Sequence, residues 1–205
     1  MPVDALPTRE EIALLPLFER LGLDRIEVVA SEAAARRAEE DLRGHAVWGF
    51  DTESRPTFRA GEVSDGPHLL QLATLERAYL FQLHDAGCRT VVADLMGGPG
   101  VVKAGFGLQD DRRHIVRKLG LEPAGLLDLD HAFRQRGYRR QVGVKTAVAV
   151  LFGQRFTKSH RATTSNWAAT RLTEAQVLYA ANDAWAALRV YHALGLGRPS
   201  PVGPA

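Results

Sequence analysis

The alternation of apolar and polar positions changes period several times along the chain. Ile26-Glu27-Val28-Val29-Ala30 alternates as a strand does. Ser31-Glu32 then opens an Ala/Arg/Glu-rich helix that Gly44 ends. Ala46 to Glu53 is dense in apolar and aromatic residues and reads as a buried strand. Pro67 to Thr74 (PHLLQLAT) and Arg77 to Leu83 (RAYLFQL) read as two more, joined by a tight turn at Leu75-Glu76. These three suggest an antiparallel meander. A helix is predicted around Thr90–Met96, stopped by Gly97-Gly98-Pro99-Gly100. Val101 to Gly105 is a short strand, Gln109–Leu119 a polar helix, and Gly125 to Leu129 a last strand. The chain then turns helical: His131–Arg136, Val144–Phe152, and a long helix from Glu174 to about Leu194. Thr173 with Gln176 forms a capping box at the start of that helix, and Gly195 follows its end. Near the N-terminus, Thr8-Arg9-Glu10-Glu11 is another capping box, and Pro16 kinks or ends the helix behind it.

Strands first, then strands mixed with helices, argue for one α/β domain with a mixed sheet. A chain of 205 residues is long enough for one domain with a full core. The expected organisation is an N-terminal helical extension over 1–25, the main domain over 26–195, and a Pro/Gly-rich tail over 196–205 that reads as disordered. No apolar run approaches a membrane span, and MPVDALPTREE lacks the basic head and apolar stretch of a secretory signal. No membrane partner is expected, and a cytoplasmic location fits. The single cysteine, Cys88, has no partner for a disulfide or a zinc cluster and reads as a packing residue.

The net charge of +2 conceals an asymmetry. Residues 1–102 carry 10 Lys/Arg against 17 Asp/Glu, whereas residues 103–161 carry 13 against 5. The basic middle third is either the footprint of a polyanion or a solvated surface.

Candidate chemistry begins where VWGFDTES drives an apolar strand into two acids. Asp51 and Glu53 are two apart on a strand, so both side chains leave the same face. Carboxylates that close repel each other unless they share a proton or hold a cation, and hard oxygen ligands suit Mg²⁺ or Mn²⁺. Tyr179 and Asp183, in YAANDA, are four apart and share a helix face. The alanines around them let a helix approach a sheet closely; the alternative is a core tyrosine beside an exposed aspartate. KAGFGLQDD ends a short strand in glycines before a helix, and there Asp110 or Asp111 could simply be an N-cap.

Taken in order, FDTE, KAGFGLQDD and YAANDA resemble the three exonuclease motifs of the DEDD superfamily. RNase D and the Werner-type 3′–5′ exonucleases are the nearest match. FDTESRPTF, HLLQLAT and SNWA agree, and the resemblance spans about Ile26 to Leu194. One branch of the superfamily has histidine five positions before the last acid; the other has tyrosine four before it. Here Leu178 and Tyr179 stand at those places, so the chain resembles the tyrosine branch (DEDDy). In the middle motif the family aspartate falls four residues after the second glycine, which selects Asp111.

The resemblance implies an RNase H-like fold, with a single central mixed five-stranded sheet flanked by helices. It also implies two divalent cations, Mg²⁺ or Mn²⁺, held by Asp51, Glu53, Asp111 and Asp183. Asp51 would bridge both ions, and Tyr179 would orient the attacking water. The activity implied is removal of nucleoside 5′-monophosphates from a nucleic-acid 3′ end, with a lean toward DNA. An RNase D-like exoribonuclease, a non-catalytic nucleic-acid-binding module and an endonuclease on the same fold are the alternatives. Expected contacts to the strand are Lys158 and Arg161, Phe106 as a base-stacking platform or a core residue, and Gln71 as a substrate contact or a structural one. Arg112, Arg113, Arg117 and Lys118, with Arg155 and His160, are further candidates for phosphate contacts. Trp48 and Trp167 are expected in the core.

Overall fold

The computed structural model describes residues 6–57, 64–158 and 164–197. Expectations for His160, Arg161 and tail residues 198–205 lie outside them. The elements are α1 (Arg9–Leu14), a 3-10 turn (Leu23–Arg25), β1 (Ile26–Val29), α2 (Glu32–Leu42), β2 (Val47–Glu53), β3 (Leu69–Ala73) and β4 (Ala78–Gln82). They continue with α3 (Ala86–Gly97), β5 (Val102–Gly105), α4 (Gln109–Leu119), β6 (Leu126–Asp128), α5 (Leu129–Gln135), α6 (Val144–Phe152) and α7 (Glu174–Ala193).

The strands form one mixed sheet in the order β1-β4-β3-β2-β5-β6. Strands β2, β3 and β4 make the expected antiparallel meander. β5 runs parallel to β2, and β6 parallel to β5. The sheet therefore has six strands rather than the expected five. The sixth is Ile26–Val29, which pairs parallel with β4 and forms one edge. Both capping boxes are present, at Thr8/Glu11 and Thr173/Gln176. They satisfy backbone N–H groups that the first helical turn leaves without partners.

The pleat divides the core into two layers. Trp48, Phe50, Leu70, Leu72 and Phe81 face one layer, with α2 and α3. Leu69, Ala73, Ala78 and Leu80 face the other, with α5, α6 and α7. Cys88 and Trp167 are buried, as expected of packing residues.

One contact fixes how deeply α7 sits. Gly49 on β2 faces that helix, and a Cβ added there would lie 2.0 Å from the Ala184 carbonyl oxygen. Ala180, Ala181, Ala184 and Ala187 complete the small-residue face, all buried. Glycine on the strand and alanine on the helix let the two backbones nearly touch. Replacing Gly49 by alanine must push α7 away, and overpacking of this kind costs about 1–3 kcal/mol. Urea denaturation of Gly49→Ala should show that loss; an unchanged midpoint would contradict the contact.

Candidate active site

Asp51 and Glu53 close the central strand, on the face that α7 covers. Asp183 comes down from α7, one residue before Ala184, so the Gly49 contact sets its depth. The result is that one carboxylate oxygen from each of Asp51, Glu53 and Asp183 lies within 4.8 Å of the others. Asp183 is only 4% exposed, which excludes an exposed helix-surface aspartate. Tyr179, one turn earlier, is near enough to Asp183 to favour its charged form, and its ring packs against Trp167, centroids 5.8 Å apart.

Asp111 approaches from the other side. It lies inside the first turn of α4, whose cap position is Leu108, so it is not an N-cap. Its Oδ1 accepts a hydrogen bond from the Thr52 hydroxyl, between the two strand acids. Asp110 instead pairs with Arg113 at 2.9 Å, away from the cluster. Asp128, to which sequence patterns assign no role, fixes this approach. Its carboxylate accepts from Gly107 N (3.2 Å) and Leu108 N (3.0 Å), holding the turn that launches α4. Gly107 has φ of 67°, a conformation that glycine adopts without strain.

The cleft over Asp51, Glu53 and Asp183 encloses about 450 Å³ and is also lined by Phe50, Phe106, Gly143 and Lys145; Asp111 lies outside its lining. That volume lies within the common range for small-ligand sites, about 300–1,000 Å³. Phe106 is half-buried at its wall, where it can offer a ring face. Lys158 reaches into the cluster: its Nζ is 2.6 Å from Asp183 Oδ2 and 5.5 Å from the Tyr179 ring centroid. Gln71 is not in the cleft. It pairs in register with Asp51 but is fully buried, and neither amide atom has a partner among the described residues. In this conformation it offers no surface to a strand.

The acids are crowded: Asp183 is buried, and Asp51, Glu53 and Asp111 are half-buried. Burial raises Asp51, eased by the Lys158 charge. Burial, then repulsion from Asp51 and Asp183, pushes Glu53 up to about 9. Asp111 rises to about 7 through burial and Asp51. Asp183 also rises to about 7, burial outweighing Lys158. Burial disfavours the Lys158 ammonium, but Asp183 and Asp51 reverse this and hold its pKa above the usual value. An all-carboxylate donor set under this strain suits a hard divalent cation, which would offset the repulsion directly.

The basic α4 residues are largely engaged nearby. Arg112 pairs with Glu122, Arg117 donates to Ser64 O (2.9 Å) and Lys118 to Asp65 O (3.0 Å). Asn182 is another residue without a sequence signal. Its side chain accepts from Leu21 N (2.8 Å) and donates to Leu21 O (3.3 Å), tying the N-terminal segment to the helix that carries Asp183.

Residues 26–196 match the family described as 3′–5′ exonuclease. The chain belongs to the 3′–5′ exonuclease family. Within it, this exonuclease domain is 28% identical over 151 residues to the mouse (Mus musculus) protein named bifunctional 3′–5′ exonuclease/ATP-dependent helicase WRN, covering 73% of the chain and 11% of that protein. It is 37% identical over 100 residues to ribonuclease D of Acidiphilium cryptum, covering 49% of the chain and 25% of the enzyme. The chain thus spans a minor part of these relatives. The fold is shared with the Aedes aegypti Nibbler EXO domain (TM-score 0.74, 23% identity, 87% of this chain and 90% of that one) and with Escherichia coli RNase D (TM-score 0.73, 23% identity, 83% and 44%). The DEDD family uses divalent metals, consistent with the donor set. No described helix is long and apolar enough to cross a membrane.

The raised carboxyls set a pH dependence. Free carboxyls titrate near 4, whereas in the folded, metal-free exonuclease domain Asp111 and Asp183 keep protons to about 7 and Glu53 to about 9. Between about pH 4 and 9 the native state binds more protons than the unfolded chain, so stability falls as pH rises. A divalent cation competes with those protons and binds better across the same window. Thermal denaturation in EDTA should give a lower Tm at pH 8.5 than at pH 5.5, and Mn²⁺ should stabilise more at pH 8.5. A Tm in EDTA that rises over this range would contradict the burial of these acids.

Proposed function

We propose that this protein is a metal-dependent 3′–5′ exonuclease of the tyrosine branch, releasing nucleoside 5′-monophosphates from the 3′ end of a nucleic acid. The observation that carries this reading is the meeting of Asp51, Glu53 and Asp183 within 4.8 Å, with Tyr179 beside them. These three acids and Asp111 would hold two divalent cations, Mg²⁺ or Mn²⁺. When bound, such a pair stabilises the attacking and leaving oxygens of an in-line displacement. Tyr179 orients the attacking water by hydrogen bonding. The bond from phosphorus to the 3′ oxygen breaks, water supplies the new P–O bond, and the shortened strand keeps a 3′ hydroxyl. Lys158 adds positive charge beside the phosphate, and Phe106 presents its ring to the terminal base.

The substrate read first is a DNA 3′ end, supported by the longer match, 151 residues, to the helicase-linked exonuclease. RNA is the second reading, supported by the higher identity, 37%, to a ribonuclease D. Matched DNA and RNA oligonucleotides, single- and double-stranded, with Mg²⁺ and Mn²⁺, separate the two. Circular substrates expose an endonuclease, and binding without cleavage exposes a non-catalytic module.

Asp51→Ala and Asp183→Asn should each abolish nearly all release of mononucleotides while circular dichroism stays native. Tyr179→Phe should slow turnover less than either, within the range of about 10²–10⁴-fold typical of proton handling by one side chain. Near-normal turnover by either acid variant would sink the assignment.

A further inference from the structure

The N-terminal segment does more than precede the sheet. Helix α1 buries none of its residues, yet it is held in place. Arg155 Nη1 donates to Ala13 O (2.9 Å), Arg155 N to Pro16 O (2.7 Å), and Phe18 N to Arg155 O (3.1 Å). Phe18 packs among Phe152, Phe156 and Trp185. Between α1 and α6 these contacts leave a groove of about 470 Å³. Its floor includes Ile12 and Phe156, and its cations are Arg9, Lys145, Arg155 and Lys158; among the described residues no acid lines it. Arg9 and Ile12 are three apart, so one face of α1 looks into the groove. Lys145 and Lys158 also line the acidic cleft, so the groove continues from it. Unlike the α4 cations, Arg9 and Lys145 make no hydrogen bond or ion pair among the described residues. The buried Nε of Arg155 also lacks an acceptor there.

Two cations, Arg9 and Lys145, that are unpaired among the described residues, with no described acid between them, favour a polyanion, and continuity with the cleft selects which one. We propose that this groove binds the sugar–phosphate backbone of a single polynucleotide strand upstream of its 3′ end, with α1 as the outer wall. This rests on the exonuclease reading of the adjoining cleft. The apolar floor takes sugar and base surface, while Arg9, Lys145 and Arg155 take phosphates.

The test uses the full chain and a 5′-fluorescein single-stranded 12-mer, with binding followed by anisotropy in EDTA across a salt series. Each phosphate contact on a single strand contributes about 0.7 to the slope of log affinity against log salt. Arg9→Gln and Lys145→Gln should each weaken binding and flatten that slope by about 0.7. Arg37→Gln, an exposed change on α2, should not. If Arg9→Gln behaves like Arg37→Gln, the groove proposal is overturned; if the 12-mer is trimmed in Mn²⁺ regardless, the exonuclease reading survives. Binding with the expected slopes but no release of mononucleotide overturns the exonuclease reading and leaves the groove standing. Failure of wild-type protein to bind the 12-mer overturns the groove.

Discussion

Everything at the site depends on how closely one helix can lie on one strand. Asp51 and Glu53 sit at the C-terminal end of β2, in the middle of the sheet, where pairing with β3 limits their freedom. Asp183 sits on α7, and the Gly49–Ala184 approach determines its height above the strand. A residue with a side chain at position 49 would lift the helix and open the cluster. The site is therefore built on the two most constrained elements, as sites that need fixed ligand distances are.

That closeness makes the acids costly in isolation. Burial raises all four, and mutual repulsion adds to it for Asp51's neighbours. Lys158 offsets part of this through Asp183. Its position depends on the N-terminal segment, since Arg20 hydrogen-bonds Thr157 and Arg155 pairs with the backbone at Pro16. The same segment grips α7 through Asn182. A stretch before the first strand thus braces both the helix and the lysine at the acidic cluster.

Much of this was legible in the sequence because it follows from periodicity. Two-residue spacing put Asp51 and Glu53 on one face, four-residue spacing did the same for Tyr179 and Asp183, and the helices over Gln109–Leu119 and Val144–Phe152 appear with those bounds. What escaped was non-local. Asp128 and Asn182 shape the site through partners 20 or more residues away, beside local bonds to Asp130 and Leu178. Gln71 carries an amide suited to contact, but its strand is covered on both faces, so it is buried. Within the basic third the α4 residues are paired locally and Lys158 pairs with Asp183, whereas Lys145 makes no ion pair among the described residues, a distinction that composition cannot make. The strand at Ile26–Val29 was legible from its alternation, but its place at the sheet edge rests on pairing with β4, about 50 residues away, so the sheet has six strands where five were expected.

The Gly49 contact sets the geometry of the acidic cluster. Titration of Mn²⁺ into wild-type protein and Gly49→Ala, followed by electron paramagnetic resonance, tests it most directly. Disturbing the support of a metal ligand typically weakens affinity by about 10–100-fold. A loss in that range is expected for a variant that remains folded. Equal Mn²⁺ affinity in the two proteins would contradict it.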